Sequence, residues 1–522
     1  MALIAVAVLA VFGQTFNDEY IAFDDRDYLS GNRIISQGLT AEGLRFAFTG
    51  TVVSHWNPVT VLSHMVMVEA FGLEPGPHHA TNVAIHLASA LLVYGILFRM
   101  TGAAWPALFA ALLFAVHPLR AESVAWIAER KGLLCGFFGL LMVWAYAEYA
   151  RKPALWRYLV VAAAFALSLM SKAALMSLPV ALLLLDYWPL SRWPGEIPNR
   201  WRTIARLAAE KLPLLVLAVV AAVIAYTITA RNNVMRTGDE FSLMVRAANA
   251  VRSYFLYLSN SLVPFHLAPQ YPHLGRTVFG PVLYAGIIAL ATISLAAIYH
   301  RKRAPWFFMG WFWFIITLAP LSGVIQVANQ GRADRYTYLP QIGLCVVVAW
   351  GIATLVRRFP RASKSTTAVA VVAILVLTIA GFVQTRLWRD DFALFSYAVT
   401  VNPQSAMVHY GLGVAHLKRD EIDLAEQCFL RAIDREPPIP EAYSNLGAIE
   451  LRRENFTKST EYFAQALELD GSDPDLLVNY AVALSTQGRK DEAFSLLAEA
   501  LRLAPDHERA LLVRDQLSRI QH

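Results

Sequence analysis

The chain has 522 residues, of which 57% are hydrophobic and only 16% are charged, and its mean hydropathy is +0.44. These values exclude an ordinary soluble domain and indicate a multi-pass membrane protein. The net charge of +6 does not indicate nucleic-acid binding, because the basic residues collect in short loops between apolar runs, where they report membrane orientation.

Apolar runs long enough to cross about 30 Å of hydrocarbon recur from residue 80 to residue 386 and then stop. An earlier run, residues 2–16, is short for a span and lacks the basic start of a signal peptide, and we interpret it as a first span. The eleven predicted spans are 2–16, 80–100, 103–117, 132–149, 156–170, 173–189, 212–230, 279–299, 305–324, 336–356 and 366–386.

A twelfth apolar stretch, residues 246–266, is interrupted by Arg246, Asn249, Arg252 and Asn260. If it crossed the membrane, the basic clusters 301–303 and 357–361 would face outward, against the positive-inside rule. We therefore predict an interfacial or re-entrant helix there and a cytoplasmic N-terminus. The predicted outer loops are 17–79, 118–131, 171–172, 231–278 and 325–335. The C-terminal segment is expected on the same outer side.

From about residue 402 the sequence repeats with a period of 34 residues, the length of a tetratricopeptide unit. In each unit a small residue lets two helices approach and a larger apolar residue fills the gap between them. The small residues are Gly413, Gly447 and Ala481, and the larger ones are Phe429, Phe463 and Leu497. We predict an all-α fold: a polytopic helical bundle over residues 1–390, then an α-solenoid of about three repeats over residues 391–522.

The predicted outer loops hold more ionisable residues than packing beside a membrane requires. Any one of them could be a snorkelling or paired structural residue, but their convergence on one face of the membrane favours a functional site. The carboxylates are Asp24, Asp25, Asp27, Glu122 and Glu129, and the cations are Arg130, Lys131, Lys172 and Arg335. The residues predicted to contact the acceptor or a sugar are His55, Trp56, His64, His79, Asn82 and His117.

Several common chemistries have no support in the sequence, which contains no Gly-rich phosphate loop, GxSxG or HExxH motif. The three cysteines lack CxxC or metal-ligand spacing and are interpreted as packing residues. His78 and His79 are adjacent, but no second ligand pair has helical spacing to them. We therefore assign no metal site. A divalent cation stays open as a cofactor, but for these histidines a structural or substrate-contacting role is favoured.

Seven features together resemble the transmembrane and tetratricopeptide-repeat O-mannosyltransferases and their bacterial relatives. They are "FDDRDY", "HWNPVTVLSHM", "GPHHATNVAIHL", "HPLRAESVAWIAERKG", "LMSKAALMSLPVALLLLDYWPL", "ADRYTYLP" and the terminal repeat array. The likeness extends over nearly the whole chain. More distantly, the acidic pair of the first outer loop resembles that of the protein O-mannosyltransferases, and so the GT-C superfamily of polytopic glycosyltransferases.

This resemblance implies a glycosyltransferase that uses a sugar on a lipid phosphate, with its catalytic carboxylate in the outer loop 17–79. Carried over to this chain, it identifies Asp24 and Asp25. The protein O-mannosyltransferase motif has Asp followed by Glu, whereas this chain has Asp followed by Asp. The sequence therefore does not choose between the two aspartates as the base.

The chemistry of such a transfer accounts for the residue types independently of the family. A general base must take the proton of the acceptor hydroxyl, and cations must hold the departing phosphate. Asp24 or Asp25 could supply the base, because adjacent carboxylates raise one another's pKa when they are partly buried. Glu122 is a candidate second acid. The candidate phosphate-binding cations are Arg335, Lys172, Arg130 and Lys131.

We therefore expect a membrane enzyme that moves a sugar from a polyprenyl-phosphate carrier to a hydroxyl, with Ser or Thr of a protein as the favoured acceptor. A repeat array offers a groove for an extended acceptor peptide. Two alternatives stay open: glycosylation of a lipid or polysaccharide, and an inactive membrane scaffold, against which intact Asp24, Glu122 and Arg335 argue. The expected location is a bacterial inner membrane, with the repeats in the periplasm.

Overall fold

The computed structural model describes residues 1–193, 197–231, 241–325, 330–471 and 473–519. In this part of the chain nearly all regular structure is helical, and the one sheet is an antiparallel pair of strands, Tyr271–Pro272 and Gln330–Arg332. The predicted all-α class is confirmed. By internal contacts the chain divides into two compact units, Met1–Asp390 and Asp391–His522, which we call the first unit and the repeat unit.

The first unit is a bundle of helices with a large apolar core. Four of its helices begin with proline at the first helical position, where a missing N–H costs nothing. The helices are Ala2–Phe12, Asp25–Tyr28, Ala41–Thr49, Pro58–Phe71, Pro75–Thr101, Ala104–Val116, Ala121–Ala125, Arg130–Arg151, Leu155–Ser171, Leu178–Tyr187, Ile197–Arg231, Leu243–Leu262, Pro281–His300, Pro305–Leu318, Gln341–Arg358 and Ser363–Arg386.

Six helices of the described residues are long and apolar enough to cross a membrane, and a seventh span is added if the bent pair Ala104–Val116 and Pro118–Ala125 counts as one. The six are Pro75–Thr101, Ile127–Arg151, Trp201–Arg231, Pro281–His300, Gln341–Arg358 and Pro360–Arg386. Several predicted spans fall on shorter apolar helices, such as Leu155–Ser171, whose 17 residues extend only about 25 Å at 1.5 Å per residue. The count of eleven stays a prediction.

The segment 17–79, predicted as a loop, contains three helices: Asp25–Tyr28, Ala41–Thr49 and Pro58–Phe71. Thr40 caps the second of these by accepting a hydrogen bond from the Gly43 N–H at 2.9 Å. Parts of two other predicted outer loops, residues 232–240 and 326–329, lie outside the described residues. The predicted interfacial stretch 246–266 is the helix Leu243–Leu262.

Glycines allow two helices of the first unit to touch through their backbones. A Cβ atom added to Gly310 would collide with the Gly343 carbonyl oxygen, and one added to Gly343 would collide with that of Gly310. This mutual contact brings Pro305–Leu318 against Gln341–Arg358, which is the close packing that small residues give to membrane helices. Gly343 lies in the first turn of the second helix, which follows the segment that carries Arg335.

The repeat unit consists of antiparallel helices with the predicted 34-residue period. A Cβ atom added to Gly447 would lie 2.9 Å from the ring of Phe463. The absence of a side chain at Gly447 therefore leaves the space that this ring fills. The corresponding contact in the preceding repeat is Gly413 against Phe429. The helices are Asp391–Val401, Ala406–Lys418, Ile422–Ile433, Pro440–Arg452, Phe456–Leu469, Pro474–Thr486, Lys490–Leu503 and Glu508–Arg519.

The turn inside each repeat uses the left-handed backbone region at the same position. Asp420, Glu454 and Gly488 have φ of 58°, 61° and 78°, and they are spaced by 34 residues. Only the third is the residue type that adopts this conformation without steric cost. The turn geometry is therefore imposed by the packing of the two helices and not by the residue at the turn.

Candidate active site

Three segments distant in sequence meet in the first unit and bring charged side chains together. They are the first helix turn after residue 23, the turn 117–131 and the segment 330–341, and Lys172 joins them from the end of the helix Leu155–Ser171. We call the resulting group the carboxylate–cation cluster. Its members are Asp24, Glu122, Glu129, Lys131, Lys172 and Arg335.

Asp24 is the most accessible carboxylate of this cluster. Its side chain is 20% exposed, and Oδ2 accepts a hydrogen bond from Lys131 Nζ at 3.1 Å. Lys131 Nζ also lies 4.8 Å from the centre of the Tyr28 ring. Asp24 is thus oriented by a buried cation but still open to a molecule arriving from solvent.

Asp25 occupies a different environment although it is the next residue. It is 1% exposed, and its two oxygens accept hydrogen bonds from the backbone N–H groups of Ala128 (2.7 Å) and Ile21 (3.0 Å). Burial raises the pKa of Asp25 to about 7, although these two hydrogen bonds oppose the shift. Asp25 ties the first segment to the turn 117–131, and both of its oxygens are already used.

Arg335 is held by a buried carboxylate. Glu122 pairs with the Arg335 guanidinium and accepts a hydrogen bond from the Arg335 backbone N–H at 2.8 Å. Gln330 Oε1 accepts from Arg335 Nη2 at 3.0 Å. The planar fork of Arg335 is therefore fixed before any ligand arrives.

Glu129 lies at the centre of the cluster, whereas the sequence places it among the outer-loop carboxylates without assigning it a catalytic role. One oxygen lies 2.5 Å from Lys172 Nζ, and the other lies 3.6 Å from Arg335 Nε. In the described part of the chain that second oxygen, Oε2, has no hydrogen-bond partner. The sequence signal for Glu129 is the run "ERK", in which a carboxylate directly precedes two candidate cations.

The aromatic rings around the cluster were also not predicted. The Trp126 ring has Lys131 Nζ 5.6 Å from its centre and Arg335 Cζ 5.3 Å from its centre. Tyr336 lies 5.3 Å from Arg335 Cζ. These rings limit water around the cations, which strengthens their attraction for an anion.

A cleft opens beside the cluster. Its free volume, including the open mouth, is about 350 Å³, and Glu129, Lys172 and Arg335 line its polar side. Its apolar lining residues include Gly136 and Leu339. The cleft thus presents two cations and a carboxylate to a ligand.

Arg130 and Asn82, two predicted site residues, do not face the cluster. Arg130 is fully buried and donates to Asn82 Oδ1 and to the His78 carbonyl oxygen, each at 2.9 Å. Asn82 Nδ2 in turn donates to the Trp126 carbonyl oxygen at 3.1 Å. Both residues brace the turn that carries Glu129 and Lys131, so their contacts are those of the scaffold and not of a phosphate site.

Three predicted histidines are also buried in the scaffold. His64 packs against Tyr28, with ring centres 5.5 Å apart. His79 Nε2 lies 3.3 Å from the Glu19 carbonyl oxygen, and His117 Nε2 lies 3.1 Å from that of Ser261.

His55 and Trp56 lie in a tight turn closed by the backbone pairing of Val52 with His55. Trp56 Nε1 donates to the Phe48 carbonyl oxygen at 2.9 Å. His55 is exposed, and its charged neighbours are Lys131, Lys172 and Asp24. His55 therefore lies beside the cluster, as predicted for a residue that contacts substrate. Across the described residues, no three His, Cys, Asp or Glu side chains are grouped as a metal site would require.

A second buried ionic group lies elsewhere in the first unit, and we call it the Tyr146 cluster. Its members are Tyr146, Asp186, Arg192, Glu210 and Lys211. Asp186 Oδ2 lies 2.6 Å from Lys211 Nζ, and its Oδ1 lies 3.0 Å from Arg192 Nη1. Two carboxylates and two cations therefore neutralise each other through direct contacts.

The tetratricopeptide-repeat models match residues 393–440 and 438–506, so the repeat unit is a tetratricopeptide array attached to a unit of apolar helices. The chain is also related to proteins named protein O-mannosyl-transferase. Human TMTC4 is 23% identical over 78% of this chain and 62% of its own length. Caenorhabditis elegans F38B6.6 is 23% identical over 80% of this chain and 60% of its own length. The predicted relationship to the transmembrane and tetratricopeptide-repeat O-mannosyltransferases is thereby confirmed.

This chain spans about three fifths of the length of these relatives. Among solved structures, that of MamA is 18% identical, covers 31% of this chain and 89% of its own, and has a TM-score of 0.21.

Proposed function

We propose that the protein is a membrane glycosyltransferase of the GT-C type, which moves a sugar from a polyprenyl-phosphate carrier to a Ser or Thr hydroxyl of a protein. The observation that carries this proposal is the carboxylate–cation cluster. A partly exposed carboxylate, Asp24, lies in one buried group with the cations Lys131, Lys172 and Arg335. The relatives named protein O-mannosyl-transferase support the reaction class.

In this proposal Asp24 is the general base. The acceptor hydroxyl oxygen attacks the anomeric carbon of the sugar while Asp24 accepts the hydroxyl proton. The bond between that carbon and the phosphate oxygen breaks, and its electron pair stays on the phosphate. The products are an O-glycosylated side chain and polyprenyl phosphate. Asp25 does not take this role, because it is 1% exposed and its oxygens are already engaged by two backbone N–H groups, so an acceptor hydroxyl does not reach it.

Arg335 and Lys172 stabilise the departing phosphate. Glu122 and Glu129 hold these cations at the cleft before the donor binds. An arginine has five N–H donors and a lysine has three, so both cations can bind phosphate oxygens while they keep their carboxylate partners. Stabilisation of charge that develops in the transition state is the largest contribution that fixed cations make to such a reaction.

The test is transfer of a radiolabelled sugar from polyprenyl phosphate to a Ser/Thr peptide by the purified full chain in detergent. We expect label in the peptide and free polyprenyl phosphate in equal amounts. Label that appears only in lipid or polysaccharide acceptors would contradict a protein acceptor. A wild-type protein that does not consume the donor at all would contradict the enzyme and favour the scaffold alternative.

We further propose eleven spans in a bacterial inner membrane, with the cluster and the repeats both on the periplasmic side. The basic clusters 301–303 and 357–361 support this orientation through the positive-inside rule. Replacing Cys135, Cys345 and Cys428, all buried, and adding Gln427→Cys at an exposed repeat position gives a single reporter. It should react with an impermeant maleimide in intact spheroplasts, and reaction only after lysis would contradict the proposal.

A further inference from the structure

Trp388 lies in the short segment between the last apolar helix, Ser363–Arg386, and the repeat unit, which begins at Asp391. It is 3% exposed, and its ring stacks on that of Trp126 with centres 6.0 Å apart and planes inclined by 29°. The next residue, Arg389, accepts a hydrogen bond from the Glu19 N–H at 2.9 Å through its carbonyl oxygen. This segment is therefore attached both to the turn 117–131 and to the chain that leads into Asp24.

Trp126 is the ring against which two cations of the cluster lie, Lys131 and Arg335. Its indole N–H has no hydrogen-bond partner in the described part of the chain. No hydrogen bond of the indole therefore fixes the orientation of this ring, and packing has to do so. The rings that pack on it are Trp388 and Phe23, the latter with centres 5.5 Å apart.

We propose that Trp388 is a positioning residue for the transfer reaction: through Trp126 it holds Lys131 and Arg335 in the arrangement that binds the donor phosphate. This inference rests on the proposed function. Trp388 touches no reacting atom. Removing its large ring leaves a space into which Trp126 can tilt, and both cations then lose one wall of their site. Displacements of about 1 Å at a catalytic group can reduce the rate by as much as 100-fold.

A role in packing alone makes a different prediction. Loss of a buried tryptophan that only stabilises the fold lowers the amount of folded protein and leaves the kinetic constants of the folded fraction unchanged. A positioning residue instead changes the donor step specifically. Trp350 provides the matched control, because it is another buried tryptophan of the first unit in contact with a second tryptophan, Trp188, at 5.5 Å between ring centres.

The experiment compares Trp388→Ala, Trp388→Phe and Trp350→Ala in the full chain, with kcat and KM measured separately for the polyprenyl-phosphate sugar and for the peptide. We expect Trp388→Ala to lower kcat/KM for the donor by about 10- to 100-fold and to leave the peptide KM within about twofold. Trp388→Phe should recover most of the activity because a flat ring remains to pack on Trp126. Trp350→Ala should show no donor-specific loss.

Equal donor losses in Trp388→Ala and Trp350→Ala, or no recovery with Trp388→Phe, would overturn the inference. Where Trp388→Ala does not fold, Trp388→Leu takes its place, with the same expected contrast to Trp388→Phe. Hydrogen exchange at the Glu19 and Ala128 amides separates this inference from the proposed function. Faster exchange in the Trp388 variant than in Trp350→Ala shows that Trp388 holds the turn 117–131 and the chain before Asp24 in place, a result that does not depend on whether the wild-type protein transfers sugar. Unchanged exchange overturns the inference.

Discussion

The two buried ionic clusters of the first unit contain the same kinds of charged groups. They differ in how many of their carboxylate oxygens have partners within the cluster. In the Tyr146 cluster, both oxygens of Asp186 contact Lys211, Arg192 or the Tyr146 hydroxyl. In the carboxylate–cation cluster, one oxygen of Glu129, which lines the cleft, has no hydrogen-bond partner among the described residues, and the Asp24 side chain is 20% exposed. A closed network stabilises a fold, whereas an open one can bind a ligand.

The largest effect is expected from Asp24→Asn, which keeps the size of the side chain but cannot accept a proton at neutral pH. Loss of a general base reduces rates by roughly 10²- to 10⁴-fold. Transfer of radiolabelled sugar should fall by this amount, while donor binding persists. Asp27→Asn is the control, because Asp27 is exposed and is not a member of the carboxylate–cation cluster, so this variant should leave transfer unchanged. Wild-type turnover in Asp24→Asn would exclude Asp24 as the base.

Asp186→Asn tests the other half of the comparison. It removes one charge from a buried pair and leaves Lys211 and Arg192 undercompensated, which destabilises a protein by roughly 3–5 kcal/mol. Thermal denaturation in detergent should show a lower Tm, with normal kcat/KM in the fraction that stays folded. If Asp186→Asn instead abolished transfer at unchanged Tm, the Tyr146 cluster would have to be treated as functional.

Arg335→Lys is expected to weaken donor binding, because an ammonium group cannot grip two phosphate oxygens with the geometry of a guanidinium. Loss of charged hydrogen bonds of this kind costs about 1.5–3 kcal/mol, or roughly 10- to 100-fold in affinity. The measurement is a donor titration, with the peptide KM as the internal control. Arg335 also pairs with Glu122, so Arg335→Ala is best combined with Glu122→Gln to avoid an unpaired buried carboxylate. Normal donor affinity in the double variant would remove Arg335 from the phosphate site.

The remaining prediction concerns the pH dependence of stability and not a change in transfer. Burial raises the pKa of Asp25 to about 7, whereas an aspartate in an unfolded chain has a pKa of about 3.9, so between about pH 4 and pH 7 the folded protein binds a proton that the unfolded chain has released. Stability then decreases as pH rises through this window, because the folded state is the one that holds more protons. Asp25→Asn should flatten the dependence of Tm on pH in that range. An equally steep dependence in the variant would assign the effect to another group.

Prediction from sequence was strongest where one pattern repeats. The 34-residue period located the repeat helices and the contacts of Gly413 and Gly447 with their phenylalanines, because each contact joins residues close in sequence. In the first unit the relevant contacts join residues about 100 to 200 positions apart, such as Asp24 with Lys131 and Glu122 with Arg335. The sequence pattern predicts both the carboxylates and the cations of the site, but it does not predict which carboxylate contacts which cation.

Two adjacent residues, Arg130 and Lys131, show why the sequence does not tell which member of a pair belongs to the site. Arg130 and Lys131 are neighbours at the start of a helix, where successive side chains point about 100° apart. One therefore enters the scaffold with Asn82, and the other reaches Asp24. Asp24 and Asp25 divide in the same way. Which of two neighbouring side chains enters the site depends on how the turn 117–131 packs against the first segment. A single sequence does not contain this packing.

The left-handed turns of the repeat unit place three different residues at one equivalent position of the repeat. Asp420, Glu454 and Gly488 occupy equivalent positions with φ of 58°, 61° and 78°, although the first two conformations carry a steric cost of roughly 1–2 kcal/mol that glycine avoids. The packing of the first two repeats thus offsets the cost of their turns. The three units are interchangeable in this respect, and the array has room to accept new side chains at its turns without losing the stacking on which it depends.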